Sequence, residues 1–206
     1  MFQKGCIIKI HTFEGEHMSL ILVGAFAFFV LTLFDFNKLK MLHPILNGLF
    51  AAGVMMLVIA TGLILFNETP LFTFAATPIL WVVSVLGLIE MIYALFFALP
   101  FTKTYVKTES NSALITTGLY GLCRHPGVWG FFLFYLFAAL ATGNGTLLIA
   151  AIVWTLMDIL HVYIQDNLFF VKTLQGYTLY KQRTPFLFFG IKELQRAFNT
   201  LGKDHS

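Results

Sequence analysis

Apolar residues run almost unbroken through five stretches, 18–34, 44–66, 78–99, 126–141 and 146–164, with polar, Gly or Pro residues between them. Each stretch is long enough, or nearly so, to cross a hydrocarbon layer that takes about 20 helical residues. The pattern predicts an all-α, polytopic membrane helix bundle of about five transmembrane helices. Gly143-Asn144-Gly145 has tight-turn composition, so the last two helices form a C-terminal hairpin. A helix over 146–165 rises about 30 Å and returns the chain to the interface from which it left. Residues 191–206 are more polar and are expected to form a cytosolic amphipathic tail.

Composition narrows the class further. With 58% hydrophobic and only 11% charged residues the chain suits neither a soluble domain nor a disordered one. One integral-membrane domain over 1–206 is expected. It comprises a three-helix part (1–100), a part carrying the chemistry (101–190) and the tail. The net charge of +3 comes from scattered Lys and Arg beside apolar ends, which argues for cytosolic loops and against a nucleic-acid partner. Lys38, Lys40, Lys103, Lys107 and Arg124 follow the first and third helices, and Lys172, Lys181, Arg183, Lys192 and Arg196 lie near the C-terminus. These ends are predicted to face the cytosol, although Lys4 and Lys9 pull the N-terminus the same way and leave its side open. Cys6 and Cys123 form no Cys/His cluster of zinc-type spacing, so neither a disulfide nor a metal site is expected.

Candidate chemistry gathers in the last third. Pro126 suits a first helical turn, which sets Arg124 and His125 at the mouth of the fourth helix. The hairpin should bring Gln165 and Asp166 back beside them. Asp158, His161 and Gln165 recur at i, i+3 and i+7 and share one stripe, with Asp166 at its margin. An ionisable group at membrane depth costs about 2.5–3.5 kcal/mol on insertion scales, so Asp158 is expected to have a task. Glu90 reaches a similar depth on the third helix. Two readings of Glu90 and Asp158 stay open at this point: a hydrogen-bonded packing network, or the lining of an acceptor cavity. Taken singly, His161 also fits a packing role, and Arg124 and Lys181 fit interfacial anchors.

In order, Gly118-Leu119-Tyr120, Arg124-His125-Pro126, Gln165-Asp166, Tyr177-Thr178-Leu179-Tyr180 and Arg183-Thr184-Pro185 resemble the isoprenylcysteine carboxyl methyltransferase and phospholipid methyltransferase superfamily of membrane enzymes. The resemblance covers about the last hundred residues. It implies S-adenosylmethionine bound at the cytosolic face and methyl transfer to a lipophilic small molecule or lipid that arrives from the surrounding membrane lipids. By position the cofactor would meet Ser112, Ala113, Leu114, Ile115, Tyr120, Arg124, His125, Pro126, Gly127, Gln165 and Asp166. His161, Asp166 and Arg183 are the catalytic candidates, with Glu90, Trp129, Asp158, His161, Tyr177 and Tyr180 on the acceptor side. No metal is implied. The chain departs from the usual pattern in carrying Gln165-Asp166 for two glutamates, Val128 for a tyrosine, and His161 where an arginine is common. An NADPH-dependent membrane reductase and a non-catalytic protein of the same fold are the competing readings.

Overall fold

The computed structural model describes the backbone of residues 2–67, 70–71, 77–98, 114 and 116–200, with side chains from residue 17 to 195 apart from 67, 97 and 98. Among the described residues it forms helices joined by turns and short connections, with no strand. Helix α1 spans Phe2–Lys40. A 3₁₀ turn, Pro44–Gly48, leads into α2, Leu49–Asn67. Helix α3, Thr77–Ile92, widens into a π-turn at Tyr93–Ala98. After the short α4, Leu119–Leu122, come α5, Gly127–Thr142, and α6, Gly145–Ile164. Helix α6 widens at Gln165–Phe169 and continues as α7, Phe170–Thr173. Helices α8, Tyr177–Arg183, and α9, Ile191–Thr200, complete the chain as far as it is described.

Among the described residues, four helical stretches have the length and hydropathy to cross a membrane: His17–Lys40, Pro44–Phe66, Thr77–Phe96 and Gly145–Thr173. The fourth apolar run of the sequence is shorter, because α5 has only 16 residues. At 1.5 Å per residue it covers about 24 Å, some 6 Å less than a hydrocarbon core.

The first helix extends past the predicted limit at residue 34 to Lys40 and stops for local reasons. Met41 turns left-handed at φ 50°, and His43, held extended at φ −155° as the residue before a proline, accepts a hydrogen bond from the Ile45 amide at 3.2 Å. At the hairpin, Gly143 adopts φ 67°, which only a residue lacking Cβ takes without cost. Asn144 then caps α6, accepting from the Leu147 amide at 2.7 Å, while its amide donates across to the Ile64 carbonyl of α2 at 3.1 Å.

Helix α3 packs on α5, α5 on α6, α6 on α1, and α1 on α2. Small residues set the first of these contacts. A Cβ on Gly130 would come within 2.6 Å of the Gly87 carbonyl and the Met91 amide, so the two backbones cross where no side chain fits. Between α1 and α6 the large Trp154 sits fully buried in the notch left by Gly24, its indole donating to the Ile21 carbonyl at 2.8 Å. Contacts along this pair climb together, from Ile21 with Trp154 through Thr32 with His161 to Asp35 with Gln165. The two helices are thus parallel neighbours, and the end of α1 bearing Lys38 and Lys40 shares a side with Gln165 and Asp166.

Candidate active site

At that end α6 does not simply terminate. Its widening at Gln165–Phe169 inserts an extra residue into the turn, a feature common at functional sites. Gln165 and Asp166 leave the helix toward different neighbours. Gln165 turns to α1, donating through Nε2 to Asp35 Oδ2 at 2.8 Å. Asp166 turns to the residues before α5 and to α8. The expectation that both would lie beside Arg124 and His125 therefore holds for Asp166, while Gln165 serves a different partner.

Asp166 is 1% exposed and is the hub of the corner. Arg124 grips its carboxylate in a fork, Nε to Oδ1 at 2.8 Å and Nη2 to Oδ2 at 3.2 Å. Lys181 Nζ stands 2.8 Å from Oδ2, Tyr177 donates its hydroxyl to Oδ1 at 2.7 Å, and His125 Nε2 approaches Oδ1 at 3.3 Å. A carboxylate offers about four lone-pair positions, so these donors saturate it and the His125 contact is the longest. Burial pushes His125 below its ordinary value of 6.5 against the opposing pull of Asp166, so it is neutral at pH 7. Two fixed cations then face one carboxylate, and the corner keeps an excess positive charge.

Arg124 also holds the chain after α8. Its Nη1 donates to the Lys181 and Thr184 carbonyls, each at 2.8 Å, and its own amide donates to the Pro185 carbonyl at 3.0 Å. Four guanidinium contacts thus tie the end of α6, the end of α8 and the segment leading to α9 to one side chain. Farther along, the Trp129 indole donates to the Leu187 carbonyl at 2.9 Å, and Phe186 lies against the His125 ring. On the other flank, Tyr180 donates to the Tyr120 carbonyl at 2.6 Å, and Tyr120 to the Ala94 carbonyl in the widened end of α3 at 3.0 Å. Pro126 and Gly127 connect this corner to α5.

Beside the corner opens a cleft of about 470 Å³ lined by Leu114, Thr116, Gly176, Tyr180, Arg183 and Thr184, among others. That volume lies within the usual range of small-molecule sites, about 300–1,000 Å³. Gly176, at φ 79°, has nothing within 4 Å of where a Cβ would stand, which keeps its side of the cleft open. Leu114 belongs to the stretch expected to meet a cofactor. Ser112, Ala113 and Ile115 from the same stretch lie outside the described residues, as do Lys103 and Lys107.

The acceptor-side candidates separate. Glu90 folds over Gly130 at the crossing of α3 and α5, its Oε2 without a hydrogen-bond partner among the described residues. No hydrogen bond joins it to Asp158 among the described residues. Tyr177 and Tyr180 belong to the Asp166 corner and to the cleft wall, and burial pushes both phenols up, which keeps them as donors at neutral pH. His161 faces α1, where its Nδ1 lies 2.9 Å from Thr32 Oγ1 and its Nε2 lies 3.7 Å from Asp35 Oδ2. Sequence reasoning passed over Asp35 because the apolar run was closed at residue 34, and over Thr32 because a single hydroxyl inside that run reads as part of the span. The available signal was an acidic residue one position beyond that run and ahead of the basic interfacial pair.

Residues 84–173 match the family model for phospholipid methyltransferase. The match begins within α3 and ends with α7, so it takes in Arg124, His125, His161 and Asp166 but not the Tyr177 to Pro185 wall of the cleft. No curated protein and no solved structure matches the chain.

Proposed function

From the match of residues 84–173 to the phospholipid methyltransferase family, we propose that this membrane protein transfers a methyl group from S-adenosylmethionine to a lipophilic or lipid-bound acceptor at its cytosolic face. The observation that carries this reading is the cleft of about 470 Å³, in which Leu114 and Thr116 from one end of the motif region meet Tyr180, Arg183 and Thr184 from the other. Its residues suit the cofactor. Arg183 and the net positive Arg124–Lys181–Asp166 corner favour the carboxylate end, the Tyr180 wall offers a flat surface to a purine, and the Leu114 backbone offers hydrogen bonds.

When bound, S-adenosylmethionine supplies an electrophilic methyl group on a sulfonium. The protein's part is then mainly alignment, because in-line displacement needs the two reactants held in contact, a proximity effect of up to about 7–11 kcal/mol in well-oriented systems. Arg124 fixes the cleft wall by holding the Lys181 and Thr184 carbonyls. Asp166, neutralised within the corner, keeps Arg124, Tyr177 and Lys181 in register.

Thermal denaturation in detergent, with S-adenosylhomocysteine and NADPH as separate additions, tests the proposal. S-adenosylhomocysteine at about 100 times its dissociation constant should stabilise the protein by about 2.7 kcal/mol, and NADPH should leave it unchanged. Stabilisation by NADPH alone would replace this reading with a reductase, and stabilisation by neither would leave a non-catalytic protein.

A further inference from the structure

Between α8 and α9 the chain runs as an irregular strap, residues 184–190, across the ends of α5 and α6. Its first half is used inward. The Arg124 amide donates to the Pro185 carbonyl at 3.0 Å and the Trp129 indole to the Leu187 carbonyl at 2.9 Å. Phe186 packs on the rings of His125 and Tyr163, and Leu187 is buried with Val128 and Val162. Trp129 stands in the first turn of α5 and Val162 in the last turn of α6. The strap therefore lies at one membrane end of the bundle, the end that carries Lys38 and Lys40.

The residues that follow point the other way. Phe188 is 77% exposed and Ile191 75%, and Phe189 and Leu194 are exposed as well. Phe188 meets Trp129 edge to face at 5.7 Å and leaves most of its ring open. Helix α9 begins at this height with its own cap, the Gly190 amide donating to Glu193 Oε2 at 2.9 Å, which is half of a capping box. It then lies against α4, the short helix just before Arg124 and the start of α5. Held by the strap and by α4, α9 runs along the membrane end of the bundle and does not stand away from it. Ile191 and Leu194, three residues apart, share one face of α9, and exposed Lys192 lies off that face. Four large apolar side chains close together, with a cation beside them on a helix at membrane level, match the pattern of a helix lying in the interface plane.

We propose that residues 188–194 form an in-plane membrane anchor. Phe188, Phe189, Ile191 and Leu194 enter the border between acyl chains and headgroups of the bilayer that the protein spans, and Lys192 turns to the lipid phosphates. Continuity decides for lipid over a protein partner. The strap crosses the ends of two apolar helices, and the acyl chains that meet exposed Leu160 and Tyr163 on α6 reach the same level. The phosphate plane just above them is the natural place for the Lys192 charge at the end of its apolar stem. Arg183 and Thr184 of the cleft wall lead straight into the strap, so the anchor also fixes that wall at the membrane surface. The anchor goes beyond the proposed function and does not depend on what the cleft binds.

The test places a nitroxide at one position at a time through Phe188→Cys, Phe189→Cys, Ile191→Cys, Lys192→Cys and Leu194→Cys. Each variant is made on a Cys6→Ser background, in which Cys123, 1% exposed, stays unlabelled. The full chain is reconstituted in nanodiscs of phosphatidylcholine and phosphatidylglycerol. Power-saturation EPR then compares relaxation by oxygen, which concentrates among acyl chains, with relaxation by a water-soluble nickel chelate. Oxygen should dominate at the four apolar positions and the chelate at Lys192→Cys. Adding Leu194→Asp should shift the Ile191→Cys label from oxygen toward the chelate, because a carboxylate is costly in that border. The proposal is overturned if the chelate dominates at all five positions, which puts the segment in water. It is equally overturned if the four apolar positions are closed to both agents, which puts them against protein, or if Leu194→Asp leaves the Ile191→Cys label unchanged.

Discussion

Replacing Arg124 with alanine removes one side chain and releases three segments at once. The change deletes the fork on Asp166 and both donors to the Lys181 and Thr184 carbonyls. Asp166 would keep Lys181, Tyr177 and His125, so its charge is not orphaned, but the carbonyls after α8 lose their partner. A hydrogen bond to a charged group contributes about 1.5–3 kcal/mol, so losing the two that hold the segment after α8 costs about 3–6 kcal/mol. At 1.36 kcal/mol per tenfold, the ratio of docked to undocked forms of the segment after α8 falls by about 10²–10⁴. Limited trypsin digestion in detergent reads that ratio, because cleavage after Lys181 and Arg183 follows the open population when reclosing is fast. Cleavage should accelerate by a comparable factor, less with Arg124→Lys, which keeps the charge and loses the fork. Unchanged cleavage in Arg124→Ala would refute the claim that this residue holds the wall of the cleft.

Three further outcomes follow from the structure. Burial lowers the His125 pKa from 6.5, so the unfolded state binds its proton first as pH falls; stability should be flat above about pH 7 and drop below 6.5, and His125→Gln should lessen that drop in thermal scans. Gly130→Ala should cost about 1–3 kcal/mol in denaturation, because its Cβ meets the Gly87 and Met91 backbone as well as Glu90, and Glu90→Ala should not rescue it. Cys123 is 1% exposed with its thiol pushed up from 9.0 to about 12, so its maleimide labelling at pH 8 should be about 10³-fold slower than that of an ordinary cysteine, as mass spectrometry can time.

Much of the fold was legible because membrane helices announce themselves by length and hydropathy. The limits of α6 differ from those read in the sequence by one residue, and the Gly143-Asn144-Gly145 turn sits where its composition put it. The meeting of Arg124 with Asp166 followed from arithmetic on helix rise. What the sequence concealed were departures from regular helix. A π-turn has no distinctive composition, so the widening at Gln165–Phe169, which sends Gln165 to α1 and Asp166 to Arg124, could not be read from an i, i+3, i+7 stripe. Asp35 was hidden for a related reason. A polar residue at the edge of an apolar run reads as the end of a span, whereas α1 continues to Lys40 and keeps Asp35 buried. Glu90 and Asp158 matched in depth, but depth does not determine which side of a helix a residue faces.

The central claim is that the cleft beside the Arg124–Asp166 corner is the seat of the methyl donor. Thr116 is an exposed residue of its lining, so Thr116→Trp fills the space without touching the corner. Calorimetric titration of S-adenosylhomocysteine into the wild type and this variant should give saturable binding to the first and at least about tenfold weaker binding to the second, an affinity loss of about 1.4 kcal/mol, with equal melting temperatures in the absence of ligand. Equal affinity in the two proteins, or no binding to the wild type, would contradict it.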